Sequence, residues 1–351
     1  MRRKGNGPDF SPSASGRRRV ARSLLVVAVV AMLGMLVATV AHPRLSEHSR
    51  VSSLATHPKV APHHLLPSLV AHRPSSVRPN PPAAGGSEMA TQAQTVSVEG
   101  VQRTYRAIVP LHLTKRLPLL IVLHGRGQSG SVVASQTGFL GLVEQRRVIL
   151  VAPDGEQRSW NAGHGCCGVA GSRRIPDIPF VAALVADAVR RWPVDAERVY
   201  LVGYSNGGKL AYSEVCAHPT LFAAVATYGA VPLSPCTPGT AAVPFLLAAG
   251  SVDRVLPLQG KPGGKPPLPS MQQALAWLRS QDGCSDSAKP GRDGSAVVEQ
   301  WAGCAAATEV ESVVYEGHGH GWPAAGASGG SPSASTVMWA FLSRHDAPAV
   351  R

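Results

Sequence analysis

The stretch Val199-Tyr200-Leu201-Val202-Gly203-Tyr204-Ser205-Asn206-Gly207-Gly208 constrains this chain more than any other. Its apolar, β-branched start reads as a buried strand. The strand breaks at Gly-x-Ser-x-Gly and runs into a helix-compatible stretch from Lys209 to Ala217. A serine on a sharp strand-to-helix turn holds its hydroxyl above the sheet, in a strained backbone that only small flanking residues permit. Gly203 and Gly207 supply the small flanks. The first N–H groups of the following helix point to where negative charge would form. A second match, Gly326-Ala327-Ser328-Gly329-Gly330, sits in a Gly/Ser/Ala/Pro loop with no strand before it and no helical pattern directly after it. Ser328 therefore lacks the setting a nucleophile needs.

The same alternation of strand and helix runs through the rest of the chain. Thr95–Val98 and Arg103–Val109 alternate around Gly100 and predict an opening hairpin. Short apolar strands are expected at Leu119–Leu123, Val148–Ala152, Val199–Val202, Ala223–Thr227 and Val243–Ala249, with a late alternating strand at Thr308–Tyr315. Helical spacing marks Ile178–Trp192, the stretch after Ser205, Met271–Leu278 and Ser335–Ser343. Most of these strands are too apolar to have a wet face. The expected fold is α/β, with a mainly parallel sheet covered on both sides by helices.

The first 90 residues differ. They carry twelve Lys/Arg against three Asp/Glu, a net of nine out of +13 for the chain. The basic balance thus belongs to an N-terminal arm, and a nucleic-acid partner has little support. Residues 24–41 form an uncharged apolar run of 18 behind Arg17, Arg18, Arg19 and Arg22. At a helical rise it spans roughly 27 Å, near a bilayer core. Two readings stand: a single-span anchor, or a signal segment cleaved after Thr39-Val40-Ala41. Either would engage the membrane or the export machinery and place the remainder outside the cytoplasm. Residues 42–91, rich in Pro, Ser and His, read as a disordered tether. The expected organisation is a basic arm (1–23), the apolar segment (24–41), the tether (42–91) and a catalytic domain (92–351). Six cysteines in an exported chain fit disulfides. Cys284 and Cys304 flank an expected hairpin and should pair. Cys166 and Cys167 are adjacent and should take different partners, with Cys216 and Cys236 as candidates.

Nucleophilic acyl transfer needs a hydroxyl, a base and a group that orients the base. The chain order Ser, Asp, His is that of the α/β-hydrolase fold. Asp253 follows the strand Val243–Ala249, where a carboxylate can accept from an imidazole; a turn aspartate is the alternative. Asp177, before a helix, is expected to be an N-cap. His318 and His320 sit in a Gly-rich loop after the late strand. A His-Gly-His metal pair has no further ligands around it. The oxyanion hole needs two backbone N–H groups, expected from Asn206 and from Arg126 in the loop after Leu123. No metal or organic cofactor is required.

Seven segments stand in order along the chain: Leu123-His124-Gly125 with Gln128, Trp160-Asn161 with Cys166-Cys167, Val194-Asp195 with Arg198-Val199-Tyr200, Gly203 to Gly208, Leu221 to Ala226, Gly250 to Asp253, and His320 with Trp322-Pro323. Together they resemble the secreted polyhydroxybutyrate depolymerase and feruloyl esterase group of α/β hydrolases, which also resembles some acetylxylan esterases. The resemblance implies Ser205 as nucleophile, Asp253 as orienter and His320, two residues before Trp-Pro, as base. The chain departs from the family at Pro176-Asp177, at Lys209-Leu210 and in a Gly/Pro/Lys-rich insertion from Gln259 to Pro269. Trp160 and Trp322 are candidates for the acyl or alcohol pocket, with core packing as the alternative. The expectation is an exported serine ester hydrolase whose partner is an ester, polymeric or small. Its rivals are a surface binding protein on a retained hydrolase fold, and an acyltransferase using the same triad.

Overall fold

The computed structural model describes residues 88–326 and 330–347. The basic arm, the apolar segment 24–41, the tether up to residue 87 and Ser328 lie outside the described residues. Among the described residues no helix is long and apolar enough to cross a membrane.

The expected hairpin is present and longer than its alternating core. β1 (Met89–Val98) and β2 (Val101–Pro110) pair antiparallel, closed by Glu99 and Gly100, both at positive φ. A two-residue turn of that hand matches the twist of its strands. The apolar runs then form β3 (Leu117–Leu123), β4 (Ile149–Pro153), β5 (Val194–Tyr204), β6 (Ala224–Tyr228), β7 (Phe245–Gly250) and β10 (Val310–Tyr315). Between the last two lies the hairpin of β8 (Lys289–Asp293) and β9 (Ala296–Trp301). The ten strands of the described residues join one sheet in the order β1-β2-β4-β3-β5-β6-β7-β10-β9-β8. The six central strands run parallel, and an antiparallel hairpin finishes each edge.

Alternation within the central strands feeds two cores. Leu119, Ile121 and Leu123 of β3 face one side with Val199 and Leu201 of β5. Leu120 and Val122 face the other with Tyr200 and Val202. The first core is covered by α4 (Asp177–Arg191), α5 (Asn206–Ala217) and α6 (Met271–Asp282), through Phe180, Leu184, Leu210, Val215, Leu275 and Leu278. The second is covered by α1 (Gly130–Gln136), α2 (Leu140–Glu144) and α7 (Ala334–Leu342), through Val133, Val143, Met338 and Phe341. A parallel sheet needs both faces buried, and these two helical layers supply that. A further short helix, α3 (Gly168–Arg173), lies in the loop before α4.

Two local expectations are corrected. Asp177 is the first residue of α4 rather than its cap; its buried carboxylate accepts from Arg103 at 2.7 Å and from the Asn161 N–H at 2.7 Å. It is a core ion-pair partner. The cysteines also pair differently from the expectation: Cys166 with Cys167, and Cys216 with Cys236. The end of α5 carries Cys216 to within 5.1 Å, Cα to Cα, of Cys236, so neither is available to the adjacent pair. Cys284 pairs with Cys304 as expected.

Candidate active site

β5 ends at Tyr204, and α5 begins at Asn206. Ser205 alone makes the turn, at φ 52° and ψ −115°. A non-glycine residue there stores about 1–3 kcal/mol of strain. The glycines around it are required by contact: a Cβ on Gly203 would stand 2.5 Å from Gly207 O, and one on Gly207 2.5 Å from Leu123 O. The Ser205 N–H is fixed by Tyr228 O at 2.9 Å.

The sheet brings the three distant residues together. Asp253 follows β7 and His320 follows β10, and those two strands are parallel neighbours. His320 Nε2 lies 2.9 Å from Ser205 Oγ, and His320 Nδ1 lies 2.7 Å from Asp253 Oδ2. Only one tautomer satisfies both contacts with a neutral ring, Nδ1–H donating to the carboxylate and Nε2 accepting from the hydroxyl. The other carboxylate oxygen, Oδ1, accepts from the N–H groups of Val255 and Leu256, each at 2.8 Å. Asp253 is 3% exposed. The loop carrying His320 is pinned by two tyrosines that the sequence reading did not single out. Tyr204 Oη donates to His320 O at 2.9 Å, and Tyr228 Oη donates to Gly319 O at 2.7 Å. Gly229, at φ +59°, leaves room for the imidazole; a Cβ there would meet its Cε1 and Nδ1 at 3.1 Å. His318 turns its Nε2 toward Gly321 O at 2.9 Å.

Asn206 opens α5, so its backbone N–H has no acceptor within the helix. Its buried side chain clasps the backbone of Trp160, accepting from Trp160 N at 2.8 Å and donating to Trp160 O at 3.0 Å. Arg126 stands beside Ser205 and Asn206 on the wall of one cleft of about 330 Å³. The loop that carries it is held by Gly127 N–H donating to Arg158 O and by Gly125 N–H donating to Gln128 Oε1. His124 anchors its base: burial pushes its pKa down, and Nε2 accepts from the Gly155 N–H at 2.9 Å.

Trp160 does not reach the cleft. It is fully buried, stacks on Phe180, and its indole N–H donates to His124 O at 2.9 Å. Its predicted place on a pocket wall gives way to a core position behind Asn206. Trp322 packs edge-on against Tyr204, Tyr228 and Phe139, and borders a separate hollow with Gln128 and Gln136. The Gln259–Pro269 insertion folds back on itself, Lys261 pairing with Leu268, and gives the cleft Lys261, Lys265 and Pro266. Lys209, noted in the sequence only as a departure, lines the same cleft. Among the described residues no group of His, Cys, Asp and Glu could hold a metal ion.

Residues 105–255 match the family described as esterase PHB depolymerase. The chain is 29% identical over 267 residues to NocK of Nocardia uniformis subsp. tsuyamanensis, named as an esterase, covering 68% of this chain and 75% of that one. It is 27% identical over 272 residues to a protein of Aspergillus flavus named as a feruloyl esterase C, covering 74% and 92%. Among solved structures, an acetyl xylan esterase from Aspergillus awamori shares the fold, with a TM-score of 0.54 over 72% of this chain and 99% of that one at 13% identity. The family match spans Ser205 and Asp253 and stops before His320. The chain is thus similar to polyhydroxybutyrate depolymerases and feruloyl esterases, and it is a carboxylic ester hydrolase.

Proposed function

We propose that the protein is an exported serine esterase in which Ser205 is the nucleophile, His320 the general base and Asp253 the residue that orients it. The observation that carries this reading is the hydrogen-bonded relay from Ser205 Oγ through both nitrogens of His320 to a buried carboxylate. In this mechanism Oγ attacks the ester carbonyl as its proton passes to Nε2. The imidazolium that forms is stabilised by Asp253, which stays ionised. The oxyanion is held by the N–H groups of Asn206 and Arg126, at the positive end of α5. His320 then returns the proton to the departing alkoxide, and water, activated by the same nitrogen, releases the acyl group.

The ester classes in view are those named for its relatives, feruloyl and acetylxylan esters and polyhydroxyalkanoate. Export is supported by the basic, apolar N-terminal sequence and by three disulfides. Substituting Ser205→Ala should lower p-nitrophenyl ester turnover by at least about 10³-fold in protein with unchanged circular dichroism. Turnover within a few-fold of the unsubstituted enzyme would reject the assignment.

A further inference from the structure

Lys209 lies one helical turn beyond Ser205, so the two share a face of α5. It is 8% exposed. Among the described residues its ammonium has no carboxylate partner; the groups it touches are Cys166 Sγ at 3.7 Å and Cys167 Sγ at 3.9 Å. Burial pushes its pKa down to about 8, and the charges of Arg126 and Lys261 push the same way. A buried cation without an anion is costly, and a protein retains one where something else completes it. Around it the described residues of the cleft wall include Arg126, Lys261 and Lys265 and no aspartate or glutamate. A transient oxyanion needs only the two backbone N–H groups, which leaves this positive charge without a role in ordinary ester cleavage.

The side of the ester that meets these cations follows from the relay. The leaving alkoxide must reach His320 Nε2 for its proton. His320 is absent from the cleft wall, whereas Ser205, Asn206 and Lys209 line it. The alcohol therefore lies toward His320, and the acyl chain enters the cleft.

We propose that this cleft takes acyl groups bearing a second, free carboxylate, so that the preferred substrates are half-esters of short dicarboxylic acids recognised by Lys209. The inference rests on Ser205 being the nucleophile. The test compares kcat/KM for mono-p-nitrophenyl glutarate and p-nitrophenyl valerate, which share chain length and leaving group and differ in the terminal charge. A charge-assisted contact predicts a preference for the glutarate of about tenfold or more. Lys209→Met should cut that ratio to near one. If that variant does not fold, inhibition of the unsubstituted enzyme decides: free glutarate should compete with valerate ester at concentrations where free valerate does not. A ratio at or below one in the unsubstituted enzyme, a ratio retained by folded Lys209→Met, or equal inhibition by the two acids would overturn the proposal. Valerate turnover that survives Ser205→Ala would instead remove the catalytic reading beneath it.

Discussion

Asp253 uses its two carboxylate oxygens in different directions, and this division makes its role testable. Oδ1 is committed to the backbone N–H groups of Val255 and Leu256, and Oδ2 to the imidazole. In Asp253→Asn the amide oxygen would keep the two backbone donors, turning the NH₂ toward Nδ1. That ring nitrogen would then have to accept, its proton would sit on Nε2, and the serine would lose its base. The predicted fall in kcat is about 10⁴-fold, the cost of a wrong tautomer in a comparable triad, with little change in KM. A fall of less than tenfold would show that Asp253 is only a turn residue. Lys209 adds a second handle at this scale. Its ammonium loses its proton as pH rises through about 8, so the glutarate preference should fade over that range.

The proposed triad was legible because each member follows a strand end marked by glycine: Gly203 and Gly207 around Ser205, Gly250 before Asp253, Gly319 and Gly321 around His320. The fate of Trp160 and Lys209 was not. A tryptophan near a motif reads equally as pocket wall or core, and only tertiary packing puts it behind Asn206. Lys209 looks like any polar residue early in a helix. Its burial arises from the Cys166–Cys167 loop laid over it, which sequence spacing does not reveal.

Among the elements, those that bury apolar faces were readable, a hairpin was expected around Gly100 and another between Cys284 and Cys304, and the short helices set by loop context were not read. α4 repeats its apolar residues over 15 positions. α1, α2 and α3 have 7, 5 and 6 residues, too short for periodicity to register. β8 is exposed at every residue and is held by its pairing with β9. The disulfide Cys216–Cys236 closes a loop of 20 residues between the end of α5 and the segment leading to β7, passing through β6 and Gly229. Replacing both cysteines with alanine should lower unfolding free energy by about 3 kcal/mol, from the entropy returned to the unfolded chain. Denaturant melts check this; an unchanged midpoint would mean that packing alone holds the segment.

For the molecule as a whole, the parallel centre and two-sided helical cover were written in the apolar strands, and both antiparallel hairpins were expected but not their places at the two edges of the sheet. Two helices on one face also carry buried acids that give the fold a pH dependence. Asp282 at the end of α6 is pushed up to about 7 by burial, against the bonds it accepts from Thr308 and the Val243 N–H. Burial likewise pushes Glu214 of α5 up to about 7, opposed by His218. Both folded pKa values lie above the unfolded ones, so these groups contribute stability in full below about pH 4 and lose it as pH rises through about 7. For Asp282 the loss is on the order of 4 kcal/mol. Tm should therefore fall between about pH 5 and pH 8, and Asp282→Asn should flatten part of that fall. Parallel profiles for the two proteins would contradict this.

The central claim is that one hydroxyl, at the turn between β5 and α5, carries the acyl group. Its most direct test is to trap it: incubate the folded enzyme with a fluorophosphonate, measure the intact mass, and map the modified peptide. The account predicts a single adduct on Ser205, formed in step with loss of esterase activity. An inactivated enzyme labelled at another residue, or an active enzyme that takes no label, would contradict it.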